Sequence, residues 1–162
     1  MIFICILSFI FDGVFSLIFD TNSFFLTLFS LMCLIIIFPY LKNKNNIFYI
    51  ALIIGLFYDI VYTQTLFLST ILFFCIALMI SIYYKYMPYN IINTLILSFL
   101  SILLYRFISY VGYLIFSDNL FDFYILIKSI YNSIILNFSY VLVMNGICKM
   151  LLKKNKIINK IR

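Results

Sequence analysis

From Ile47 to Tyr84 the chain runs 38 residues with one charged side chain, Asp59, between Asn46 and Lys85. As a single helix rising 1.5 Å per residue, that run would be about 57 Å long, against roughly 30 Å of membrane hydrocarbon. It has to fold back on itself. Its only polar cluster is Thr63-Gln64-Thr65, which divides it into two spans at about 47–62 and 66–84. Asp59 then lies about one turn from the outgoing end of the first.

Composition places the whole chain in the same setting. It has 162 residues, 67% of them hydrophobic and 10% charged, with a mean hydropathy of +1.21. Soluble domains are nearer half apolar and a quarter charged. The expected fold class is therefore all-α, an integral membrane bundle forming one domain over residues 1–148. A basic tail over 149–162 completes it. The 14 Tyr and 20 Phe, with no Trp and no His, match the bias of an AT-rich genome, so a single aromatic carries little functional information.

The same composition excludes several chemistries. Without His there is no HExxH metalloprotease, no Ser-His dyad and no histidine base. The four glycines are isolated, so no phosphate-cradling loop is present. The five acids are scattered aspartates with no Glu, a thin basis for carboxylate catalysis. Cys5, Cys33, Cys75 and Cys148 lie far apart in apolar segments without a CxxC pair and read as small buried hydrophobes. No catalytic residue, cofactor, metal or nucleic-acid partner is expected.

Six spans follow, at about 2–19, 24–41, 47–62, 66–84, 91–116 and 129–148. Asp20-Thr21-Asn22-Ser23 closes the first, with Asn22 or Ser23 available to cap the next helix. The connector Ser117–Lys128 precedes the sixth, part of it able to lie in the interface. The first segment has no basic n-region and carries Asp12, so it reads as a retained span rather than a signal peptide. Lys42, Lys44, Lys85 and the cations from Lys149 to Arg162 fall on one side. The positive-inside rule makes that side cytoplasmic, with both termini inside. The tail reads first as a topology determinant, with the holding of anionic lipid or of a cytoplasmic partner as its other candidate roles.

Charges in hydrocarbon are costly and normally face the bundle interior. Arg106 is embedded in the fifth span, and Asp12 and Asp59 are its expected partners. Asp59 near a helix C-terminus opposes the macrodipole. A cation, donors from Tyr62 and Thr63, or interfacial water must compensate it. Gly55, one turn earlier on the same face, permits close approach of another helix. Asn137, near mid-membrane in the last span, is expected to bond another helix. The candidate structural or partner-contact cluster is thus Asp12, Gly55, Asp59, Arg106 and Asn137.

These residues resemble a known pattern. FDGVFS (Phe11–Ser16), IIIFPYLK (Ile35–Lys42), IGLFYDIVYTQTLFLSTILFF (Ile54–Phe74) and ILNFSYVLV (Ile135–Val143) before a basic end are similar to the rod shape-determining protein MreD family. Gly55, Asp59 and the Thr63-Gln64-Thr65 turn match the family's Gly, Asp and polar turn. The Gly often found in that turn is missing, and the family's last-span Asn falls on Asn137. The resemblance implies a non-catalytic protein of the bacterial cytoplasmic membrane that regulates cell shape and lateral peptidoglycan synthesis. It also implies partners: an MreC-like bitopic protein, MreB, RodA and a transpeptidase. The family is thought similar in fold to the substrate-binding subunits of energy-coupling-factor vitamin transporters. Such a subunit is the alternative reading, though the alanine stripe it would carry on its first helix is absent.

Overall fold

A computed structural model describes residues 2–19, 27–63, 67–116 and 122–161. Every regular element among them is helical. They are α1 (Ile2–Phe19), α2 (Phe29–Ile37, extended by a 3-10 turn Phe38–Tyr40), α3 (Asn46–Tyr58, ending in a π turn Asp59–Thr63), α4 (Leu68–Tyr86), α5 (Ile91–Phe116) and α6 (Phe123–Ile161). Among the described residues, three stretches are long and apolar enough to cross a membrane: Leu68–Tyr86, Ile91–Gly112 and Phe123–Met150. The apolar stretches in α1, α2 and α3 are shorter.

The architecture turns on α2. Its sequence, FSLMCLIII, is apolar on every side except at Ser30, and all nine of its residues are buried. A helix that is hydrophobic all round belongs in an interior, and α2 contacts each of the other five helices. With its 3-10 extension it is about 20 Å long, short of the roughly 30 Å a crossing needs. Within the expected span over 24–41, the described helix covers Phe29–Ile37 with its 3-10 extension to Tyr40. Residues 24–26 lie outside the described ones, Thr27 and Leu28 are not helical, and the helix starts where another element supplies its cap. At its far end Lys44 Nζ donates to the carbonyls of Phe38 (2.9 Å) and Pro39 (3.0 Å). A cation is favoured at a helix C-terminus. Burial lowers the Lys44 ammonium from its ordinary value.

Two other boundaries differ. The sixth helix starts at Phe123 rather than 129 and runs unbroken to Ile161, so the helix continues into the basic tail. The connector residues 117–121, with Asp118, lie outside the described residues, as do Asp20 to Ser23 and Gln64-Thr65.

Phe67, the N-cap of α4, adopts φ 60° and ψ 7°, the only described non-glycine residue with positive φ. The left-handed region costs an L-residue about 1–2 kcal/mol, and the ring is 58% exposed. Phe67→Gly is expected to raise the unfolding temperature in detergent by a few degrees. Relief of strain outweighs the roughly 0.5–1 kcal/mol of glycine's extra chain entropy. A lowered melting temperature would mean that the ring, not the backbone, holds this turn.

Candidate functional site: two acids at two helix ends

The two buried aspartates do one recurring job. Asp12, on α1, is 2% exposed. Its Oδ1 accepts from Phe29 N–H at 2.7 Å, and its Oδ2 accepts from Ser30 N–H at 2.8 Å and from the Ser30 hydroxyl. Asn137, on α6, adds a third partner, its Oδ1 accepting from Leu28 N–H at 2.9 Å. The first N–H groups of a helix have no partner within it and carry the positive end of its dipole. Here an anion and an amide oxygen from two other helices satisfy three of them. Because α2 is wholly buried, water cannot do so in their place.

Asp59 repeats the arrangement one helical hairpin later. It is 4% exposed and accepts from Ser69 N–H at 2.9 Å, Thr70 N–H at 2.8 Å and Thr70 Oγ1 at 2.7 Å. These groups form the first turn of α4. The unfavourable position of Asp59 at the end of α3 is thus offset by the N-terminus of the following helix, a partner absent from the sequence expectation. Gly55 makes the approach possible. A Cβ added there would meet Thr70 Cα at 2.7 Å, with Ser69 O and Phe73 Cβ both at 3.3 Å.

Arg106 is 5% exposed. Its Nε donates to Ser133 Oγ on α6 at 2.9 Å, and its Nη2 to the same oxygen. Ser133 also accepts at its carbonyl from Asn137 Nδ2, at 2.7 Å. Arg106 therefore reaches the α2 terminus through Ser133 and Asn137. Among the contacts described, the two carboxylates accept from helix ends and the guanidinium donates to a serine. The groups still share a neighbourhood. Tyr58 and Tyr105 both lie within electrostatic range of Asp12 and Arg106, and Tyr105 also of Asp59. Tyr62 closes α3 onto α1 by donating to Phe9 O at 2.6 Å, beside Gly13, where an added Cβ would lie 2.8 Å from the Tyr62 oxygen.

Sequence reasoning missed Ser30, Thr70 and Ser133, the hydroxyls that complete these locks. A signal was present. Phe11-Asp12-Gly13-Val14-Phe15-Ser16 and Tyr58-Asp59-Ile60-Val61-Tyr62-Thr63 share the order aromatic, Asp, any, Val, aromatic, hydroxyl. In each case a Ser or Thr stands in the first turn of the next helix. The fold also brings Cys5 and Cys33 Sγ to 3.8 Å, although sequence spacing gave them no relation. Cys75, expected buried, is exposed.

Chemically, this arrangement fixes helices. Its acids accept hydrogen bonds from helix termini, its cation is held by a hydroxyl, and no group of three or more metal-ligating side chains forms among the described residues. Among the described residues, fold and site together define an all-helical architecture with three membrane-length helices and an interior in which polar side chains bind helix ends. No protein-family model, curated protein or solved structure matches the chain.

Proposed function

We propose that this chain is a six-span, non-catalytic component of the bacterial cell-elongation machinery. In this reading both termini are cytoplasmic, and the protein holds partner spans in the membrane to regulate cell shape and lateral peptidoglycan synthesis. The observation that carries the reading is where its polarity lies. Asp12, Asp59, Arg106 and Asn137 are buried and directed at helix ends or hydroxyls. Large apolar side chains face outward, among them Phe3, Leu17, Ile60, Ile82 and Ile135. That is the polarity of a chain solvated by lipid, whose outer faces are available to other spans. The motifs FDGVFS and GLFYD, similar to the MreD family, support the same role. They favour an MreC-like bitopic protein, MreB, RodA and a transpeptidase as the complex it serves. The cations of the tail favour a cytoplasmic C-terminus beside anionic lipid.

Depletion in the native host tests this. Rods are expected to round up while vitamin uptake stays normal. Cells that keep their rod shape would remove the proposal, and lost uptake of a vitamin would favour a transporter's substrate-binding subunit in its place.

A further inference from the structure

Between α1 and α3 lies a laterally open cleft of about 470 Å³. Cys5, Ile6 and Phe9 line one wall and Ile50, Ile53 and Phe57 the other, with no polar residue among the lining. One end is closed where Tyr62 donates to Phe9 O and Phe9 meets Phe57 edge-on at 6.4 Å. The other end reaches the N-terminal turns of both helices. Ile50 lies one turn into α3, directly after the loop that carries Lys42 and Lys44. Lys44 is turned onto the Phe38 and Pro39 carbonyls, and Lys42 stands exposed at that end.

We infer that this cleft binds one acyl chain of an anionic membrane phospholipid, whose headgroup meets Lys42. The inference rests on the membrane reading above and adds a ligand to it. Charge and apolar surface are laid out as such a lipid needs them: hydrocarbon walls running away from a solvated cation. A protein helix suits the cleft less well. Close helix packing in lipid favours small residues, whereas these walls are mostly Ile and Phe.

The test uses the full chain, purified in detergent and incubated with phosphatidylglycerol or phosphatidylcholine. Retained lipid is counted by native mass spectrometry. One phosphatidylglycerol per chain is expected, in preference to phosphatidylcholine. Ile53→Trp, which fills the cleft, should cut retention roughly tenfold, the effect of leaving about two methylenes uncovered. Ile60→Trp, at an exposed position of α3 outside the lining, should retain lipid as the parent does and controls for folding. Lys42→Gln should abolish the preference for phosphatidylglycerol while chain binding persists. Equal retention by Ile53→Trp and the parent would overturn the proposal. So would a photo-crosslinker at position 53 that captured a partner span in membranes and no lipid. Neither outcome depends on cell shape, so this site can fail while the elongation role stands.

Discussion

Asp12→Leu is expected to destabilise the protein by about 4 kcal/mol, the largest effect of any single substitution considered. Leu removes the acceptor for three buried donors, Phe29 N–H, Ser30 N–H and the Ser30 hydroxyl, and each orphaned donor costs about 1–3 kcal/mol. Relief from burying a carboxylate offsets part of that sum. At 2–4 °C per kcal/mol for a chain of this size, the melting temperature in detergent should fall by about 8–16 °C. Asp12→Asn should fall between Leu and the parent. Its carbonyl oxygen still serves Phe29, but its amide then faces two donors on Ser30. Hydrogen exchange localises the effect: the Phe29 and Ser30 amides should lose protection in Asp12→Leu before those of central α5. A melting temperature equal to the parent's would show that α2 does not depend on this cap.

The sequence revealed these acids more clearly than their partners. A charge in an apolar run stands out, and so Asp12, Asp59 and Arg106 were visible at once. The fold-back between Ile47 and Tyr84 followed from length alone, and the structure places α3 and α4 on either side of it. Opposite charge then suggested pairing the acids with the arginine. Helix termini offer an equal attraction through backbone amides, which leave no mark in a residue string. Only the repeated aromatic-Asp-x-Val-aromatic-hydroxyl hexapeptide, with Ser30 and Thr70 beyond it, could have pointed there.

The enclosure of α2 was hidden from the sequence for a related reason. Hydropathy separates what water would reject from what it accepts, and α2 meets that test. It does not separate a helix facing lipid from one enclosed by five others. Cys5 and Cys33 met unseen because nothing local encodes the contact of α1 with α2. Gly55 was legible because a small residue one turn before an acid is a local pattern, and the structure sets the first turn of α4 against it.

Gly55→Ala should be the second large effect, and it tests whether packing and capping at α4 are one device. Its Cβ would approach Thr70 Cα to 2.7 Å, a backbone atom that cannot rotate away, so α3 and α4 must separate. Overpacking of this kind costs about 3 kcal/mol, or some 6–12 °C in melting temperature. Gly146→Ala is the matched control, since an added Cβ there meets nothing within 4 Å. That change should be neutral or stabilising by about 0.5–1 kcal/mol. Separation at Gly55 also pulls Ser69 and Thr70 away from Asp59, which makes the two sites interdependent. Asp59→Asn alone should cost about 2 kcal/mol through the donors it leaves opposed. Combined with Gly55→Ala, the loss should fall short of the sum by about 1–2 kcal/mol, because the first change has already broken the bonds the second removes. Strictly additive losses would mean that the glycine and the acid act separately, and that helix approach at α4 does not set the geometry of its cap.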